Sequence, residues 1–295
     1  MGRKVTVSAC QYIVSEIHSF DEFRHKVRTL LDQCRGADLI IFPELFTIEL
    51  FTLADGWRNK PISELVIIDS FTDDYKRLFE NEAKQRGQFI AAGSHLEKTA
   101  SDRYENIAHL WGPDGEYFSH SKTHIFPAES GWFTQEGDEM RVFNLPFAKV
   151  GFNICYETEI PECASSLAEQ GCELILTPSA TFTEQGFWRV RHCAQSRCIE
   201  NQVYQVHCCL GGSPGGPLPS CYARSSLLGP CDVPWSNPAG IIAEASVNQE
   251  DVITGEIDLD LLYENRESGA ATTFKDRRRK AGSYKKWASH LNSQL

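Results

Sequence analysis

Apolar and polar positions trade places with two periods along this chain. Within residues 4–12, Val5, Val7 and Ala9 fall at every second position, the spacing of a strand. Phe20, Phe23, Val27, Leu30 and Leu31 then recur at helical spacing, with Ser19 placed to cap that helix. Residues 37–42 predict a second, buried strand that ends at Pro43-Glu44. Residues 47–70 show neither period and read as an irregular excursion. Tyr75, Leu78, Phe79 and Ala83 mark another helix, and 89–93 a third strand. Pro113-Asp114-Gly115 is a turn signal between strands at 106–111 and 116–122.

The second half alternates more regularly. Val150 to Ile154 is a short buried strand that stops at Cys155, and Pro161 suits the first position of a helix over 161–170. A strand at 174–177, a loop at 178–183 and a helix over 186–200 follow, the helix with Val190, Ala194 and Cys198 on one face. Residues 202–210 alternate like a strand, 211–219 form a Gly/Pro-rich loop, and 220–229 hold a further strand. Residues 241–247 and 252–257 predict a closing hairpin, and 263–295 a polar, extended tail. Alternating β and α elements predict a layered α/β domain over 1–262 with a C-terminal extension at 263–295.

Composition narrows the function. A formal net charge of −11 argues against a general nucleic-acid binder. No apolar run is long enough for a membrane span or an export signal. The 11 cysteines are odd in number and contain no CxxC pair, so they read as reduced thiols in a cytoplasmic protein and not as a disulfide framework or a zinc site. Cys208 and Cys209 sit next to each other on a strand and so point to opposite faces, as core residues do. His124 is expected to be packed and hydrogen-bonded.

The candidate chemistry centres on Cys155. A thiol at the C-terminal tip of a buried strand, beside a helix start, stands where open α/β sheets place reactive groups. A nucleophilic thiol needs a base or a cation nearby. Glu44 directly follows a strand too apolar to leave it solvated, and Lys122 ends the strand after the Pro113 turn. Singly, each has a plain reading: a buried structural cysteine, a capping glutamate, a solvated lysine. Together they favour catalysis, because charges that follow buried strands need partners.

Three fragments carry a resemblance: Phe42-Pro43-Glu44-Leu45-Phe46, Ser121-Lys122-Thr123-His124-Ile125-Phe126-Pro127, and Asn153-Ile154-Cys155-Tyr156-Glu157 with Pro161-Glu162. In order and spacing the chain resembles the carbon–nitrogen hydrolase (nitrilase) superfamily from residue 4 to about 260. Residues 186–202 look most like an amidase-like subgroup. The resemblance implies a four-layer αββα sandwich that pairs as a homodimer or larger assembly. It implies Cys155 as nucleophile, Glu44 as general base, Lys122 as the cation beside the tetrahedral intermediate and Glu129 as a further pocket glutamate. In that reading Glu44 takes the thiol proton and later activates water, while Lys122 and the Tyr156 backbone N–H hold the developing oxyanion. This chemistry calls for no metal and no cofactor.

The function expected is hydrolysis of a small carboxamide to acid and ammonia through a thioester. A nitrile or a carbamoyl amine is the alternative substrate, and a catalytically silent interaction scaffold the alternative of another class. Tyr156 favours amides, since superfamily members acting on nitriles commonly carry Trp there. Glu159 stands four positions after the cysteine, where members that hold substrate carboxylates tend to carry Arg. Glu159 is expected either to receive an amine or to pair with Arg189 or Arg191. The basic stretch 275–286 is expected to be a solvated or subunit-contacting arm.

Overall fold

The computed structural model describes residues 2–100, 103–132 and 134–291. In chain order its elements are β1 (Lys4–Ile13), α1 (Phe20–Gln33), β2 (Leu39–Ile41), α2 (Thr72–Arg86), β3 (Phe89–Ala100), β4 (Arg103–Trp111), β5 (Tyr117–Ser121), β6 (Thr134–Gln135), β7 (Val142–Asn144) and β8 (Lys149–Phe152). Then follow α3 (Pro161–Glu169), β9 (Leu174–Ala180), α4 (Glu184–Asn201), β10 (Tyr204–Gly211), β11 (Ser226–Leu228), β12 (Ile241–Glu244), β13 (Asp251–Asp258), α5 (Leu259–Ser268), α6 (Thr273–Arg279) and α7 (Ala281–Leu291). Ser19 caps α1 as its sequence predicts, its Oγ accepting from the Glu22 N–H at 3.2 Å.

The strands form two sheets. In one, β2 and β3 run parallel to β1, and β4 and β5 continue antiparallel. In the other, β8, β9 and β10 are parallel, with β7 and β11 antiparallel at the flanks. The sheets join where β1 pairs with β10, at Tyr12 and Ile13. Alternation along each strand then sorts the core. Val7, Ala9, Leu39 and Ile41 meet Val150, Phe152, Leu174 and Val206 between the sheets. Ile40 and Phe42 face the other way, onto Phe23 and Val27 of α1 and Phe79 of α2. Ile175 faces out onto Ala164 and Leu167 of α3. The result is the four-layer αββα sandwich. Cys208 and Cys209 are both buried, in different clusters on opposite faces of β10.

Three features depart from the sequence expectation. The hairpin expected at 241–257 does not form: β12 pairs with β11, and β13 lies antiparallel along β1. The Gln11 side chain on β1 donates to the carbonyls of Ser246 and Gln249 at 2.6 and 2.7 Å, pinning the turn so that β13 leaves along β1. Residues 46–71 are short 3₁₀ segments whose Phe46, Leu50 and Phe51 are fully buried. The tail is not extended but helical. The Asp258 carboxylate caps α5, and Arg266 and Arg278 both lie over the Phe274 ring of α6. Among the described residues no helix is long and apolar enough to cross a membrane.

Candidate active site

Glu44 leaves β2 through two backbone features that sequence pattern does not reveal. Gly93 has φ +66°, and a Cβ there would stand 2.0 Å from the Pro43 carbonyl oxygen, so only glycine lets β3 pass so close to Pro43. Leu45 takes the left-handed conformation, φ 47°, with its N–H donated to Ser94 Oγ at 3.0 Å. The turn drives the Glu44 carboxylate inward, 2 % exposed. There it accepts from the Ala180 N–H at 2.8 Å, from Lys122 Nζ at 2.8 Å and from Asn106 Nδ2 at 2.9 Å. Glu129 closes the cluster. It accepts from the Phe126 N–H at 2.8 Å, from Asn106 Nδ2 at 2.9 Å and from Lys122 Nζ. One ammonium and one amide thus bridge two buried carboxylates.

Cys155 follows β8 at φ 44°, a conformation unfavourable for a residue with a Cβ. The 3₁₀ turn Cys155–Glu159 holds it there. The buried Glu157 carboxylate accepts from the Ile154 N–H at 2.5 Å, the Thr123 N–H at 2.6 Å, the Thr123 hydroxyl at 2.7 Å and His120 Nε2 at 3.0 Å. Thr123 is the residue after Lys122, so one carboxylate sets the thiol turn and the lysine strand relative to each other. At the far end Arg197 donates to the carbonyls of Thr158 and Glu159 at 3.1 and 3.3 Å. His124 packs as expected, its Nδ1 3.0 Å from the Thr123 hydroxyl.

Burial and charge fix the proton positions. Burial raises the Cys155 thiol well above its ordinary pKa, Glu44 adds to this, and Lys122 opposes it without winning. Glu44 is likewise raised by burial; Lys122 opposes this and Glu129 reinforces it. Burial alone would discharge Lys122, but Glu129 and Glu44 outweigh it and raise its pKa. In Glu157 the cost of burial is overcome by His120 and Thr123, and its pKa lies below the usual range. The resting thiol therefore keeps its proton, and Lys122 stays an ammonium.

These groups open into a cavity of about 190 Å³. Cys155, Glu44, Lys122 and Glu129 line it, with Phe126, Trp132, Tyr156 and Phe182 as aromatic walls. Glu159 also lines it and accepts from Arg189 Nε at 3.2 Å, the pairing with the following helix that the sequence offered as one alternative. All six residues singled out from sequence, Glu44, Lys122, Cys155, Glu129, Tyr156 and Glu159, meet in this cavity. Sequence reasoning missed the role of Asn106, and it gave Glu157 none although Glu157 lay inside a quoted motif.

Comparison with known proteins places these features in context. The family model described as carbon-nitrogen hydrolase matches residues 6–267. A probable hydrolase of Bacillus subtilis, YhcX, is 36% identical over 284 residues; the match covers 93% of this chain and 54% of that protein, so the chain spans about half the length of that relative. The omega-amidase NIT2-B of Xenopus laevis is 28% identical, with 90% of this chain and 92% of that protein covered. The crystal structure of a carbon-nitrogen hydrolase from Helicobacter pylori G27 superposes with a TM-score of 0.79 at 19% identity, covering 95% of this chain and 97% of that one.

Proposed function

The chain belongs to the carbon–nitrogen hydrolase family, and from that premise we propose that it hydrolyses a small carboxamide to a carboxylic acid and ammonia through a thioester on Cys155. The observation that carries this reading is one cavity holding a thiol on a left-handed backbone residue, a buried carboxylate of raised pKa and a buried ammonium. Because the thiol is protonated at rest, attack is coupled to proton transfer. Glu44 takes the Sγ proton as sulfur bonds to the carbonyl carbon. Lys122 and the Tyr156 N–H stabilise the oxyanion. Glu44 returns the proton to the amide nitrogen, the C–N bond breaks and ammonia leaves. Glu44 then deprotonates a water that attacks the thioester; the acid departs and the proton returns to sulfur. Glu129 and Asn106 hold Glu44 and Lys122 in register throughout.

The remaining elements of the reading are a homodimer, a catalytic unit spanning 1–262, and residence in the cytoplasm. Eleven cysteines, none in a disulfide among the described residues, support the last. No cofactor enters the steps above. The test is ammonia release by the purified protein over a panel of amides, nitriles and carbamoyl amines. Turnover confined to nitriles or carbamoyl amines would replace the amide reading. No turnover of any of them would favour the interaction scaffold.

A further inference from the structure

The walls of the cavity carry information about the acyl group that the catalytic cluster does not. Phe126 packs edge-on against Tyr156 at 5.8 Å and against Phe182 at 6.2 Å, and Phe182 meets Trp132 at 6.1 Å. Four ring systems thus form one continuous aromatic surface in the cavity that Cys155 also lines. Glu159 lines the same cavity, and its side chain is 17 % exposed, while its partner Arg189 is 52 % exposed. The carboxylate is the shielded member of that pair, and the guanidinium is spread toward solvent. An ion pair reached at 3.2 Å by a half-exposed arginine holds weakly. Charge among the described residues that line the cavity points the same way: Glu44, Glu129 and Glu159 are set against Lys122 and Arg189. An anionic substrate enters against a negative excess, and the cost of that rises as the cavity sheds water.

We propose that the acyl chain of the substrate ends in an ammonium group, held between the aromatic walls and the Glu159 carboxylate. Aromatic faces together with one shielded carboxylate make up the chemistry that recognises an alkylammonium ion. The reach fits such a chain. Glu159 lies four residues beyond Cys155 along a 3₁₀ turn, a backbone displacement of roughly 8 Å at that helix's rise of about 2 Å per residue, and both side chains line the cavity. A flexible run of several methylenes covers that distance, with the amide at the thiol and the amine at Glu159. This inference deepens the amidase reading and rests on it, because it takes the same cavity as the acyl site.

The experiment compares three amides of matched length: that of δ-aminovaleric acid, that of hexanoic acid and the monoamide of adipic acid. Turnover is measured with the wild-type protein. Binding is measured by calorimetry with Cys155→Ala, so recognition is read independently of chemistry. The amine-bearing amide is expected to exceed hexanamide about tenfold in kcat/KM and in affinity, with the carboxylate-bearing one weakest. In Glu159→Gln the ratio of amine-bearing to neutral amide should fall to near unity, and Glu159→Asp should retain most of it. Equal or better handling of hexanamide, preference for the adipic monoamide, or an amine preference that survives Glu159→Gln would each overturn the proposal. Amine-selective binding without turnover of any amide would uphold it while removing the amidase reaction.

Discussion

Cys155 carries two local costs: a left-handed backbone, and burial that keeps its thiol protonated. Costs of this kind persist where surrounding contacts over-determine them, and the hydrogen bonds to Glu157 and from Arg197 are those contacts. Replacing Cys155 by alanine removes one small buried atom, so the fold should persist within about 1–2 kcal/mol. Turnover should fall below about a thousandth of wild type, since the nucleophile is gone. Circular dichroism and ammonia release check the two halves, and higher residual activity would remove Cys155 from that role. The raised pKa of Glu44 gives a second expectation. The base works only as the carboxylate, so kcat/KM should fall with decreasing pH through a value above the ordinary 4.5. Lys122 is held cationic by two carboxylates and should impose no alkaline limb. An acid limb at or below 4.5 would assign the titration to another group. The residues behind these expectations were legible because a charge after a buried strand demands a partner. Asn106 was not, because a polar residue on a strand reads the same whether it faces water or a carboxylate. Its role depends on Glu44 and Glu129, which lie 62 and 23 positions away in sequence.

At the scale of elements, the site is held by close approaches between strands and turns. Gly93→Ala places a Cβ against the Pro43 carbonyl in a backbone region that alanine disfavours. Backbone atoms cannot swing aside, so the β2 exit must move and carry Glu44 with it. Activity should drop at least about a hundredfold, a size typical of ångström-scale misplacement, alongside a lowered melting temperature. Full activity in Gly93→Ala would show that Glu44 does not depend on that crossing. The Glu157 carboxylate ties the thiol turn to the strand end of β5, and Glu157→Gln leaves its partners poorly satisfied. The expected cost is about 3 kcal/mol, in the range for breaking a buried charged pair, read by denaturant midpoint. The sign with pH follows from its lowered folded-state value. The contribution is present above the unfolded 4.5 and is lost as pH falls through the lower folded pKa, so wild type and variant should converge in that acid window. Strands and helices were largely readable because period two and period 3.6 specify a face. Strand partners were not: alternation says which side of β13 is buried, and not that it lies along β1 in place of β12.

The whole molecule shows how a tail that looks solvated by composition becomes part of the fold. Polar composition made 263–295 read as extended, yet Arg278 donates to the Ala168 carbonyl at 2.7 Å and Arg277 to the Ser165 hydroxyl at 2.5 Å. These side chains dock α6 on α3 through groups that hydropathy scores as polar, which is why the pattern concealed it. The chain continues from α6 into α7. On α7, Tyr284 and Trp287 pack edge-on at 5.5 Å and remain 42 % and 57 % exposed. We propose that in the homodimer this helix serves as a contacting arm, its aromatic face covered by a second copy of the chain. Large exposed aromatics gain most from such burial. Light scattering on the full chain at micromolar concentration should therefore give twice the monomer mass of 33.2 kDa. A chain stopped after Lys280, or carrying Trp287→Ser, should shift toward monomer by about tenfold or more in dissociation constant, as loss of an interface tryptophan commonly does. The α6 contacts to α3 remain in both variants, so the sandwich should keep its melting temperature within a few degrees. A full-length monomer would sink the dimer, and a dimer unaffected by both variants would move the interface off α7.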